Sequence, residues 1–289
     1  MNAQVIVGIK DAEGKLIAEQ PYEDYVNGNR DTEISLYSHG TQLFNILYDE
    51  FGYIKLENNI LVFNHIFVHN TYETAMRLLG RIAEATIVRR CNENVEINRK
   101  WVKFARIGEN ISKTADNYIA IGTGLLSTKK LYASKYNPGD TQRDIKWVNK
   151  DDLQSELMMI KKGNIDGMVA GIQSKVSILG TPYIFNDLVI QRYEVPVVYF
   201  GIYNDYHEIA YNLFLKRKDV DIGKYFVDAR VIDFDAFEEV KSYVPLIIGL
   251  IEKKITPDQL LKSNLNNTLK SAIIGTGTDP FIPGGIVIP

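Results

Sequence analysis

The chain reads as an α/β protein of the α+β kind, and three features of its sequence carry that reading. The first 70 residues are rich in β-branched and aromatic side chains, punctuated by Gly, Asn and Asp. A long segment with helical apolar spacing follows at about 71–91. The middle of the chain then runs in the order helix, strands, helix, strand.

Taken in order, "QVIVGIK", "EISLYS" and "NILVFNHIFVHN" are the expected strands of a β-rich N-terminal region, 1–70. Asn70 with Glu73 three residues later resembles a capping box, and Met76, Leu79, Ile82, Ala83 and Val88 recur at helical spacing. Between 95 and 142 the sequence predicts extended pieces, "RKWVKFARI" and "NYIAIGTGLL", then a turn at Pro138 and Gly139. The strand "RDIKWV" leads into an expected helix, "KDDLQSELMMIKK", with acids at its start and lysines at its end. The run "DGMVAGIQSKVS", 166–177, reads as a buried strand. Thr181 and Pro182 suit the N-cap and first position of a helix, and "VPVVYFGI", 195–202, a strand begun by Pro196. "YVPLIIGLIEKK", 243–254, falls far short of the roughly 20 residues that span a bilayer and reads as core. The tetrapeptide "IGTG" recurs at 121–124 and 274–277, too short to argue duplication.

With 289 residues, 45% of them hydrophobic, the chain can bury a full core. Its 33 Lys and Arg against 36 Asp and Glu give a formal charge of -3, so no global basic field announces a nucleic-acid partner. A local patch would suffice for one. The single cysteine, Cys91, rules out an intramolecular disulfide framework and a Cys-rich zinc site, and suits a reducing compartment. The N-terminus lacks the basic and apolar regions of a signal peptide. A cytoplasmic location with no membrane partner is expected.

The chemistry concentrates at Gln173 and Lys175. Strand side chains alternate between faces, so these two project together while Ile172, Ser174 and Val176 face the other way. Burying an ammonium without a partner costs several kcal/mol, so Lys175 must meet an anion, reach an edge or shift its pKa. A phosphodiester beside a metal ion would supply the anion.

An acid followed by Gln-x-Lys on a strand, then a helix and a strand, resembles the PD-(D/E)XK nuclease superfamily of restriction and repair endonucleases. The likeness covers roughly 70–205. Most members carry Glu where this chain has Gln173; the methylated-DNA restriction branch similarly uses Gln-x-Lys. The resemblance implies a restriction-endonuclease-like mixed central sheet flanked by helices. It also implies Mg²⁺, with Mn²⁺ as a substitute, held by the acid and Gln173, and Lys175 orienting the attacking water. A glutamate from the preceding helix would support the metal. The layout it implies is a β-rich region at 1–70, a nuclease-like core at 71–245 and a C-terminal extension at 246–289 packed on the core.

Two acids can fill the first place. Asp166 has a spacing similar to that of the methyl-directed mismatch-repair endonuclease, provided that Gly171 forms a tight hairpin. If 166–175 is one straight strand, Asp166 lies roughly 23 Å from Gln173 at about 3.3 Å per residue, too far to share a metal. Asp144 opens "DIKWV", and an antiparallel return by 168–175 brings Gln173 and Lys175 beside it. Glu84 is the helix glutamate, although Arg81 three residues earlier also suits an ordinary surface pair. Glu156, on the helix expected before the Gln-x-Lys strand, is the second candidate.

Other features carry less. His65 and His69 would share a strand face, but no third metal ligand accompanies them. "GTGLLSTKK", 122–130, has amides that can bind phosphate but lacks P-loop spacing. Positive charge gathers in "RKWVKFAR", "STKK" and "LKRK", and in the first of these Trp101 and Phe104 interleave with cations, which suits stacking beside a phosphate backbone. The expected function is a Mg²⁺-dependent DNA endonuclease of restriction or phage defence, acting as a homodimer because two strands need two sites. A non-catalytic nucleic-acid-binding or assembly protein with a degenerate core is the alternative, and a small-molecule phosphate enzyme built on the Gly122–Gly124 turn a third.

Overall fold

The computed structural model describes residues 6–10, 16–21, 30–68, 70–108, 113–161, 164–180, 182–261 and 286–288. The chain divides into two compact units, one formed by Met1–Tyr48, Tyr53–His65 and Ser242–Pro289, the other by Asp49–Gly52 and Ile66–Lys241.

In the first unit, β1 (Ile6–Lys10) pairs antiparallel with β2 (Leu16–Pro21) and parallel with the C-terminal strand Ile286–Ile288. A second hairpin joins β3 (Ile54–Glu57) to β4 (Ile60–Phe63). Its turn residues Asn58 and Asn59 have φ of 50° and 63°, the left-handed conformation that asparagine tolerates and two-residue hairpins require. Between these pairs the expected strand "EISLYS" is instead part of helix α1 (Arg30–Asn45). Its alternation is too short to prevail over the longer helical pattern, in which Ser35, Gly40, Leu43, Phe44 and Leu47 are buried.

The second unit begins with α2 (Thr71–Glu93). Asn70 Oδ1 accepts from the Glu73 N–H at 2.9 Å, and Asn70 Nδ2 donates to Glu73 Oε1 at 3.2 Å. Asn94 closes this helix and opens α3 (Val95–Ala105): its N–H donates to Arg90 O, while its side chain accepts from the N–H groups of Glu96 and Ile97. The piece expected as extended, "RKWVKFARI", is thus mostly helix. Asn98, Trp101, Val102 and Ala105 are buried at helical spacing, a pattern that overrides the β-branched and aromatic content. Trp101 is wholly buried, which corrects the expectation that it stacks on a ligand.

Five strands form the central sheet: β5 (Tyr118–Gly122), which is followed by α4 (Leu126–Leu131), then β6 (Ile145–Asn149), β9 (Gly171–Ser177), β10 (Val197–Gly201) and β11 (Phe226–Asp228), in the order β11-β10-β9-β6-β5. β7 (Met158–Lys161) and β8 (Asn164–Val169) make a separate antiparallel pair between β6 and β9 in sequence. The sheet is mixed. β9, β10 and β11 run parallel, linked by α5 (Pro182–Val189) and then by α6 (Tyr206–Lys216) and α7 (Ile222–Tyr225); β6 and β5 continue it antiparallel. Such parallel links need a crossover, and the helices supply it. α2 packs on β5 and β9, while α8 (Ala229–Ile232) packs beside β10. This is the α/β architecture of a mixed sheet flanked by helices that the sequence leads one to expect. The last long helix, α9 (Phe234–Ile251), contains the apolar run at 243–251, where Tyr243, Leu246, Ile247 and Leu250 are buried. Among the described residues no helix is long and apolar enough to cross a membrane.

The expected helix at 150–162 does not form. Asn149 Oδ1 accepts from the N–H groups of Asp151 and Asp152, and Asp152 accepts from the Gln154 N–H and the Ser155 hydroxyl. These local turns use the amides a helix would need, after which Met158–Lys161 is strand. Trp147 Nε1 donates to Asn98 Oδ1 at 2.7 Å, and Asn98 Nδ2 donates to the carbonyls of Ala115 and Tyr118, so the buried polar contact joining α3 to β6 is satisfied.

Asn94→Ala removes the shared cap of α2 and α3. We expect a loss of about 1 kcal/mol, read as a fall of about 2–4 °C in Tm for a domain of this size.

Candidate functional site

Asp144, Gln173, Lys175 and Glu84 all belong to the second unit. Asp144 immediately precedes β6, whose ladder to β9 consists of only two pairs, Ile145↔Ile172 and Lys146↔Gly171. Asp144 extends that seam. Its N–H donates to Ile172 O at 3.0 Å, and its Oδ2 accepts from the Ser174 N–H at 2.8 Å and from Gln173 Nε2 at 2.6 Å. On the other edge of β9 the Gln173 N–H donates to Pro196 O at 3.0 Å. The backbone on both sides of Gln173 is thereby fixed.

Gln173 is 5% exposed, and its Oε1 is buried with no hydrogen-bond partner among the described residues. An unpaired buried amide oxygen costs about 1–3 kcal/mol. Lys175, two residues on, is half-buried and makes no ion pair among the described residues; its Nζ lies over the Tyr193 ring, 5.0 Å from the centroid. Tyr193 in turn donates its hydroxyl to Asp187 Oδ2 at 3.0 Å. Burial pushes the Lys175 ammonium below its ordinary value, with the charges of Asp144 and Asp187 pulling the other way.

Glu84 comes from α2 and is 5% exposed. Its Oε1 accepts from the Gly124 N–H at 3.2 Å. A Cβ on Gly122 would meet that same oxygen at 2.5 Å and Leu125 at 2.5 Å, so glycine at 122 is what admits the carboxylate. Burial first, and the nearby Asp144 charge second, push Glu84 well above the ordinary carboxylate range. Burial likewise raises Asp144, against the opposing effects of the Lys175 charge and the hydrogen bonds from Ser174 and Gln173. Because Gly124 donates to Glu84, that amide is not open to phosphate, which removes support for the glycine turn as a phosphate cradle.

The other expected residues fall elsewhere. Asp166 lies on β8, and the hairpin at Gly171 that would return it to Gln173 does not occur: β8 pairs with β7, and β9 with β6 and β10. Glu156 is not on a helix; it bridges to Val148 and pairs with Lys146 at 2.9 Å and Lys135 at 3.3 Å. Burial would raise its carboxyl, but the two lysines more than offset this and hold it low. Of the two glutamates, only Glu84 lies on a helix. His65 stacks on Phe63 at 4.7 Å, and His69 lies outside the described residues, as does Thr181. Of the basic runs, Arg99 is held by Asp116 and Glu96, Arg106 by Met158 O, and Arg217 by Asp219.

Sequence reasoning missed Ser174, which contributes through its backbone N–H, and Tyr193, read as the end of a helix. A period-2 pattern shows side chains, not which amides a neighbouring carboxylate will claim. Gly122 and Gly124, flanking Thr123 at the end of an apolar strand, were the available sign of a close approach.

No protein-family model, curated protein or solved structure significantly matches the chain. Among the described residues no three His, Cys, Asp or Glu side chains form a metal-binding group. The oxygens on offer are those of Asp144, the orphaned Gln173 Oε1 beside it, and the Glu84 carboxyl, which feels the Asp144 charge. That all-oxygen set suits Mg²⁺, which commonly takes one or two carboxylates and keeps several waters.

A carboxyl held above its unfolded value stabilises the fold most below that value, and the contribution is lost as pH rises through the folded one. Glu84→Gln removes this loss while its oxygen can still accept from Gly124. We expect the variant to be more stable than the parent at pH 8 without metal, by on the order of 1–3 kcal/mol, with little difference at pH 4. Thermal melts at both pH values, with and without Mg²⁺, check this; stabilisation of the parent by Mg²⁺ should vanish in the variant.

Proposed function

We propose that the chain is a Mg²⁺-dependent endonuclease that hydrolyses DNA phosphodiester bonds, of the PD-(D/E)XK kind in its Gln-x-Lys form. The observation that carries this reading is the clamp of Gln173 on Asp144, which leaves the Gln173 Oε1 buried without a partner among the described residues, with Lys175 on the same strand face and the buried Glu84 near enough to feel the Asp144 charge. Strongly perturbed titrating groups that share one place suit catalysis better than structure.

In this reading Asp144, Glu84 and Gln173 Oε1 hold Mg²⁺. The bound ion would neutralise phosphoryl oxygen charge and lower the pKa of a water. Gln173 has two tasks. Its N–H group clamps Asp144 Oδ2, and its oxygen serves as a neutral ligand. Burial lowers the pKa of Lys175 and so populates its neutral amine, whose lone pair would take the proton that water loses as the new P–O bond forms. The ammonium so formed would donate to a non-bridging phosphoryl oxygen and stabilise charge in the pentacovalent phosphate. The bond from phosphorus to one bridging oxygen then breaks, and that oxygen is protonated as it leaves. Tyr193 holds the ammonium in place through its ring face. Restriction or phage defence in a cytoplasmic setting, and a symmetric homodimer that cuts both strands, complete the proposal.

Incubation with plasmid, linear and methylated DNA, with Mg²⁺ or Mn²⁺ and with chelator, tests it directly. We expect cleavage that chelator abolishes. Lys175→Ala, Asp144→Asn and Gln173→Ala should each lower the rate by about 10²–10⁴-fold. A Lys175→Ala protein cleaving at the parent rate would refute the mechanism. Binding without cleavage across DNA and RNA substrates would favour a non-catalytic nucleic-acid-binding or assembly role.

A further inference from the structure

A cavity of about 380 Å³ opens between the C-terminal half of α3 and the segment α7-β11-α8. That size falls within the roughly 300–1,000 Å³ of small-molecule sites. Among the described residues it is lined by Lys100, Lys103 and Lys224 and by no acidic side chain, in a chain whose formal charge is -3. Every arginine in the basic run 99–106 is already engaged, Arg99 by Asp116 and Glu96 and Arg106 by Met158 O. Lys100 and Lys103, by contrast, make no ion pair among the described residues, whereas Lys224 pairs with Asp221 at 3.8 Å. The remaining wall is apolar, with the Phe104 ring, Val227 and Ile232 facing the space, and Val231, 79% exposed, at its edge.

A second observation marks the same place. Ile107 has φ of 55°, in the left-handed region that a β-branched residue rarely adopts. It occupies the position that ends α3: its N–H donates to Phe104 O, and the Gly108 N–H to Lys103 O, both at 2.9 Å. Glycine normally fills that position. Here it comes one residue later, and the chain instead holds a bulky apolar side chain in strained backbone where it lines the cavity.

Lys100 and Lys103 bring two charges that make no ion pair among the described residues, which a dianion matches better than a monoanion; Lys224, beside Asp221, stands at the same space. A phosphate monoester carries roughly two negative charges at neutral pH, and lysine is a compact point-charge donor to phosphate. An aromatic ring beside aliphatic walls suits a flat, largely apolar body, as in base stacking. We infer that this cavity binds a nucleotide unit, its phosphate held by Lys100, Lys103 and Lys224 and its base lying against Phe104 and Val227. The site shares no residue with the Glu84, Asp144, Gln173 and Lys175 cluster and does not rest on the nuclease reading. The same chemistry can come from a free mononucleotide or from one unit of a single strand.

Calorimetric titration of the full chain with dAMP, deoxyadenosine, inorganic phosphate and a short single-stranded oligonucleotide tests this, with chelator present so that nothing is cut. Saturable binding of dAMP at least tenfold tighter than of deoxyadenosine or phosphate supports a free-nucleotide site. Binding of the oligonucleotide without dAMP supports the strand as its source. In either case Lys100→Ala/Lys103→Ala should weaken binding at least tenfold and Phe104→Ala measurably, whereas Lys100→Arg/Lys103→Arg should preserve it. Both lysines are surface-reaching, so unchanged melting of the double variant would show that folding is intact. Equal affinity for dAMP and deoxyadenosine, failure of both dAMP and oligonucleotide to bind, or binding unaltered in a folded Lys100→Ala/Lys103→Ala protein would each overturn the assignment.

Discussion

The arrangement at the site depends on one carboxylate. Asp144 stands where the antiparallel half of the sheet meets the parallel half, at a seam of only two ladder pairs. Its N–H reaches back to Ile172, and its Oδ2 takes the Ser174 N–H and the Gln173 amide. Hydrogen bonds to a charged acceptor are about twice as strong as neutral ones. The interaction therefore does structural and chemical work together, pinning β9 against β6 while holding a charged oxygen beside Gln173.

The electrostatics of the second unit fall into two kinds. Away from the seam, buried charges are matched: Arg90 forks onto Asp233, Arg89 onto Glu239, and Arg230 onto Asp228. In each, the guanidinium and carboxylate satisfy one another, so that neither charge is left buried alone. At the seam, burial raises both carboxyls, Glu84 further by the Asp144 charge and Asp144 further by that of Asp140, and an ammonium is lowered by burial with an aromatic face beside it. A divalent cation between the carboxylates and an anion near the lysine would relieve both imbalances. Folding alone relieves neither.

The side-chain periodicities were legible in the sequence. Alternation placed Gln173 and Lys175 together, and an antiparallel return brought Asp144 to them, whereas the surface pair that Arg81 suggested for Glu84 gave no sign that its carboxyl is buried. The failures share a cause. The segment 150–162 has helical charge placement, yet Asn149 and Asp152 capture local amides first. "EISLYS" and "RKWVKFARI" look β-like because their residue types are, but burial follows the longer helical repeat in both. Likewise Glu156 and Asp166 carry suitable chemistry, and only strand pairing shows that the first is claimed by lysines and the second lies on a different sheet. Residue type and local spacing give the repertoire; competition for backbone donors decides among its members.

Gln173 shows what a neutral side chain does at a place crowded with carboxylates. A glutamate here would place a third buried carboxylate against Asp144, whose pKa is already raised, and could donate to Oδ2 only when protonated. The amide resolves that conflict. Its N–H group satisfies Asp144 at 2.6 Å, and its oxygen is left over in a buried, polar position with no competing donor. One neutral side chain thus orients the carboxylate without adding a further negative charge to the seam. Burial is what depresses the Lys175 pKa, against the charges of Asp144 and Asp187, and a neutral amide at 173 adds no third carboxylate to oppose it.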